Sequence, residues 1–169
     1  MELYDPTLVR ELYAKGWKDH KELAQLIAYL TPFVESGHLP AIIELARVEL
    51  VLGNENRSQA LMARAEALLD DDDLDGHVEL WSAYSAGLGV GSPEKKYAKA
   101  VGHITHVAER GNVIAQEMLM MVYLHGTIEV RKDPDNFLKW AKRAAAAGSE
   151  RAIEEIDKFN QLAKIRRDD

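Results

Sequence analysis

The chain contains no cysteine. That absence excludes a disulfide framework, a thiolate metal site and a thiol nucleophile. No apolar run is long enough to cross a bilayer. The opening residues, MELYDPTLVR, carry no basic segment followed by an apolar one, so no signal peptide is expected and the expected location is cytoplasmic. Strand signals are scarce: period-two alternation of β-branched residues is rare, and no Asn-Gly or Asp-Gly hairpin turn occurs. Basic residues are in deficit, with 21 Lys and Arg against 28 Asp and Glu and a net charge of −7. Binding to a phosphate backbone needs clustered cations, so neither a nucleic-acid nor a membrane partner is expected.

What is abundant is alanine, leucine, glutamate and lysine, which favour helix. The chain's punctuation is helical too. Asp5-Pro6, Ser92-Pro93 and Asp133-Pro134 each place a capping oxygen before a proline, a residue suited to the first helical position. Gly37, Gly53, Gly87, Gly111, Gly126 and Gly148 are spaced as helix ends. The pattern predicts helices near 6–16, 19–36, 39–52, 56–69, 73–87, 93–110, 112–125, 134–147 and 149–165. Their short links make neighbours antiparallel.

An internal repeat emerges when the glycines are aligned. Gly37, Gly111 and Gly148 are each followed four residues later by alanine, at Ala41, Ala115 and Ala152; Asp72 with Gly76 supplies the remaining unit. The unit lengths are 35, 39 and 37. Eight residues into each unit stand Leu45, Leu80, Leu119 and Ile156, and twelve in stand Tyr84 and Tyr123, where the first unit has Glu49 instead. Eight residues before each start come Tyr29, Arg64, His103 and Trp140, and small or apolar pairs such as Val107-Ala108 and Ala144-Ala145 precede it. A helix pair with one apolar stripe cannot bury that stripe alone, so such pairs stack. Small residues let helices approach, and the large rings fill the space between layers.

These residues resemble the Sel-like repeats, relatives of the tetratricopeptide repeats. Ala115, Leu119, Tyr123, Gly126, Asp133, Trp140, Ala144, Ala145, Gly148 and Ala152 carry the pattern most fully; Leu80, Tyr84, Gly87, Ala100, Ala108 and Gly111 keep part of it. The resemblance implies an all-α fold, a right-handed α-solenoid of antiparallel helix pairs in which first helices line a concave groove. It also implies a protein-binding surface without catalytic residues. On this reading residues 1–169 form one domain: capping helices over 1–36, a degenerate repeat over 37–71, repeats over 72–110 and 111–147, and a C-terminal capping helix over 148–169. Leu8, Leu12, Tyr13 and Trp17 would cap the other end.

Candidate partner-binding residues are the first-helix positions that the repeat does not need. Nine residues into a unit lie Trp81 and Met120, and ten in lie Arg47, Ser82 and Met121. Aromatic and methionine side chains suit partner surfaces, although the same spacing also serves packing on the unit's own second helix. His125, in the turn before Gly126, joins this set. The acidic run Asp70–Asp73, with Asp71, Asp72 and Asp73 as candidates, is either a solvated turn that caps the next helix or a dock for Lys and Arg.

His103 and His106 are three apart on one helix, but no third ligand is fixed nearby in sequence. The repeat accounts for His103 as a packing residue, so no metal or other cofactor is expected. No Ser-His-Asp order, phosphate loop or His-Glu-x-x-His motif occurs, and the chain is read as a non-enzyme. The expected partner is another protein, a toxin or effector with a basic surface. Small acidic bacterial repeat proteins of this kind resemble immunity proteins; an adaptor in a regulatory or secretion pathway is the alternative, and a metal-dependent enzyme built on the solenoid around His103 and His106 is the rival from another class.

Overall fold

The computed structural model describes residues 3–16, 20–127 and 130–168. Among the described residues the chain forms nine helices and no strand. They are α1 (Pro6–Gly16), α2 (His20–Glu35), α3 (Leu39–Val51), α4 (Glu55–Leu68), α5 (Leu74–Ser85), α6 (Pro93–Glu109), α7 (Val113–His125), α8 (Pro134–Ala146) and α9 (Glu150–Asp168). All nine expected helices are present, with ends displaced by up to three residues. The expected start of the second helix at 19 lies outside the described residues, as does Trp17. No helix among the described residues is long and apolar enough to cross a membrane.

The chain falls into two compact units, Met1–Ser92 and Pro93–Asp169. The division lies between α5 and α6, within the stretch read as the 72–110 repeat. In the first unit α1 packs on α2, α2 on α3, α3 on α4, and α3 also on α5. Its core is built from Val9, Leu23, Leu26, Leu30, Ile42, Ile43, Met62 and Leu80. In the second unit α6 packs on α7, α7 on α8, and α9 on both α8 and α7. Ile104, Leu119, Met120, Phe137 and Trp140 fill that core. The Phe137 ring lies 5.0 Å from that of Phe159, joining α8 to α9. Successive pairs that pack on one another give each unit the local arrangement of an α-solenoid.

The joints between repeats explain the glycine-to-alanine spacing. At Gly37, Gly111 and Gly148 the backbone takes φ of 83°, 91° and 94°, a conformation cheap only for glycine. The residue after each glycine then does two things. Its backbone N–H closes the preceding helix: His38 donates to Phe33 O at 2.9 Å, Asn112 to Val107 O at 3.4 Å, and Ser149 to Ala144 O at 2.9 Å. Its side chain opens the next helix by accepting the N–H of the repeat alanine, His38 Nδ1 from Ala41 at 3.4 Å, Asn112 Oδ1 from Ala115 at 2.9 Å and Ser149 Oγ from Ala152 at 3.0 Å. Asp73 Oδ1 does the same for Gly76 at 2.9 Å. Each such cap contributes on the order of 1 kcal/mol. Burial lowers the pKa of His38, which favours the neutral ring that this cap requires.

Candidate partner-binding groove

Three helices of the first unit present stripes at helical spacing to one open groove of about 860 Å³. From α1 come Pro6, Val9, Arg10 and Tyr13; from α3 and its cap, His38, Pro40, Glu44 and Arg47; from α5, Val78, Glu79, Trp81 and Ser82. The opposite faces decide this orientation. On α5, Gly76, His77, Leu80, Ala83 and Tyr84 are buried, which turns Val78, Trp81 and Ser82 outward. On α3 burial of Ala41, Ile42, Leu45, Ala46 and Val48 leaves Pro40, Glu44 and Arg47 in one row.

An aromatic cluster holds α1 in place. Tyr4 meets Phe33 edge-on at 5.4 Å and lies 4.4 Å from the His38 ring. Asp5 donates its N–H to the Tyr29 hydroxyl at 2.8 Å, while its Oδ1 accepts the N–H of Thr7 at 2.8 Å and caps α1. The opening helix therefore does more than cap an end: it forms one wall of the groove.

The groove's charge is arranged across its walls. On the floor, Arg47 Nε lies 3.4 Å from Glu44 Oε2. Arg10 on α1 and Glu79 on α5 have no hydrogen bond or ion pair to any described residue. The Glu79 carboxyl is raised above its ordinary pKa, first by loss of hydration and then by repulsion from Glu44, which outweigh the attraction of Arg47 and Arg10. Burial pushes the Tyr4 phenol up to about 12, with Glu44 and Glu79 adding to the shift. Tyr13 is raised too, chiefly by burial.

The structure places the sequence candidates unequally. Trp81, Arg47 and Ser82 line the groove, with Trp81 partly exposed. Met120 does not reach a surface: its exposure is 0%, and it packs in the core of the second unit beside Leu119. The physical reason is that α7 is covered by α6, α8 and α9, so a wider arc of it is buried than of α5. Met121, the next residue, is partly exposed on α7, and His125 is exposed at that helix's end. Asp71 and Asp72 are exposed in the turn before α5, outside the groove lining. Asp73 is the N-cap of α5. His103, at the repeat position of buried Trp140, is half-buried on α6.

Tyr4, Arg10, Tyr13, His38, Glu44 and Glu79 were not among the sequence candidates. For Glu44 and Glu79 the signal that could have found them is the row at the third, seventh and tenth residue of a unit, where both hold the seventh place. In the first repeat that row is Pro40, Glu44 and Arg47, and Pro6, Arg10 and Tyr13 echo its spacing on α1.

No protein-family model matches the chain, and no curated protein matches it. Among solved structures, the chain is similar to a Sel1 repeat protein from Oxalobacter formigenes, with 26% identity and a TM-score of 0.46, over 78% of this chain and 97% of that one. It is also similar to c5321, a protective antigen present in uropathogenic Escherichia coli strains displaying an SLR fold. There the identity is 21% and the TM-score 0.45, over 76% of this chain and 27% of that one. The class that the chain's own helices define is an all-α helical-repeat protein. The repeat that its spacing and motif residues resemble is the Sel-like one.

Proposed function

We propose that the protein is a non-catalytic binding module that takes a segment of a protein partner into the groove of α1, α3 and α5. The observation that supports this most is the convergence of Trp81, Tyr4, Tyr13 and Arg47 on one open groove. Trp, Tyr and Arg are the side chains that dominate binding energy at protein interfaces. Trp81 is the anchor, and the Arg47–Glu44 pair fixes the floor against which the segment lies.

The finer reading is an immunity protein that neutralises a cognate toxin or effector with a basic surface. The net charge of −7 supports it, because long-range attraction speeds encounter with a basic partner. A cytoplasmic location goes with that role, and an adaptor would use the same groove. The test is capture of the partner from cells that express the protein, with wild type and Trp81→Ala compared at equal folding. The substitution is expected to weaken capture by at least about tenfold. Full capture by Trp81→Ala would remove the anchor and with it this reading of the groove. Growth rescue of cells making a captured toxin, by wild type and not by Trp81→Ala, separates immunity from an adaptor role.

A further inference from the structure

We infer that the groove selects a partner segment carrying a basic side chain, arginine or lysine, which pairs with Glu79 against the neighbouring aromatic rings. This rests on the groove being the binding site. Among the described residues Glu79 is one of two carboxylates that line the groove, and the other, Glu44, is already paired with Arg47. Glu79 has no ion pair or hydrogen bond to a described residue, although Arg10 and Arg47 are near enough to attract it. Its carboxylate is therefore exposed at the groove and attracted by Arg47 and Arg10 without forming an ion pair to a described residue, and the loss of hydration that raises its pKa is offset when a partner's cation pairs with it.

The rings make the site more than a lone carboxylate. Trp81 lines the same groove as Glu79, and Tyr4 interacts electrostatically with Glu79. A guanidinium can lie over an aromatic face while donating to a carboxylate, so arginine fits both elements together. An acidic side chain entering here would meet Glu79 and Glu44 on two of the three helices, with Arg10 the one cation among the described lining residues not already in an ion pair. The acidic balance of the whole chain works in the same direction, favouring approach of a basic partner.

The probes are three N-acetylated, C-amidated tripeptides, Gly-Arg-Gly, Gly-citrulline-Gly and Gly-Glu-Gly, titrated at millimolar concentration and low salt. The readout is the assigned Trp81 indole signal by NMR. The arginine peptide is expected to bind about fivefold more tightly than the isosteric citrulline peptide, the scale of one partly exposed ion pair with a cation–π contact. The glutamate peptide is expected to bind weakest. Glu79→Gln is expected to abolish the arginine preference while leaving citrulline binding unchanged, and Glu79→Asp to retain it. Equal binding of the arginine and citrulline peptides, or a preference that survives Glu79→Gln, overturns the inference. If the natural partner still needs Trp81 in that case, the proposed function stands and only the basic-side-chain specificity falls.

Discussion

Replacing Trp140 with alanine tests the packing of the second unit directly. The side chain is 2% exposed, so nearly its whole surface is withdrawn from water. A tryptophan buries roughly 200 Å². Keeping only the alanine methyl forfeits about 130 Å² of that, or about 3 kcal/mol at 25 cal/mol per Å². A cavity term adds to this, because Ala141 and Ala144 nearby on α8 are themselves fully buried and have no long side chains to swing into the void. Lys139 Nζ, 4.7 Å from the ring centre, and Arg143 Cζ, 5.2 Å from it, lose their cation–π contacts, each worth about 0.5–1 kcal/mol at an exposed site. The expected loss is thus about 4–5 kcal/mol, a large share of a typical domain's stability. Urea unfolding followed through the amide signals of α7, α8 and α9 reads it for this unit alone. A loss below about 1.5 kcal/mol would refute the packing argument. Trp81→Ala supplies the contrast: that ring is only partly buried, and its removal is expected to cost less than about 2 kcal/mol while impairing binding.

Glu49→Ala removes a carboxylate that is 1% exposed, accepts from Asn54 Nδ2 at 2.8 Å and pairs with Arg57 Nε at 3.1 Å. It is expected to destabilise the first unit by about 1–3 kcal/mol in urea unfolding, because α3 and α4 lose their polar tie. The raised pKa of Tyr4 gives an alkaline signature. The unfolded phenol sheds its proton near the ordinary value of 10.0 and the folded one at about 12. The stability that Tyr4 contributes is therefore whole below pH 10 and is lost as the pH climbs towards 12. Tyr4→Phe should flatten that part of the pH–stability curve measured by thermal melting; an unchanged alkaline slope would show that Tyr4 is not dehydrated.

The helical architecture was readable because its signals are local. Asp5 and Asp133 do cap their helices, with Asp133 Oδ1 accepting from Asp135 and Asn136 at 3.1 and 3.0 Å. The repeat glycines do take the left-handed backbone. The groove was only half legible, since its lining depends on which face of each first helix is covered by others. The ninth residue of a unit is Ala46, Trp81 or Met120, and only Trp81 retains exposure, while the tenth, Arg47, Ser82 or Met121, does so in every unit. A one-residue step on a helix rotates a side chain by about 100°, enough to carry Met120 into the core. Glu79 holds the seventh place of its unit, as Glu44 does in the unit before, but acidic residues are common on solvated faces and that place alone did not single it out. Its raised pKa comes first from lost hydration and then from Glu44, 35 residues earlier and brought near by the packing of α5 on α3.

The double duty of His38, Asn112 and Ser149 has a bearing on how the length of this chain can change. At each joint one residue ends a helix with its backbone and begins the next with its side chain, so no slack exists to absorb an extra residue. A single insertion there would undo two helix ends at once. Cutting from one joint to the corresponding point of the next would leave every cap intact. The step in which such a protein can grow or shrink without local damage is therefore the whole repeat, the 37 residues from Asn112 to Ser149.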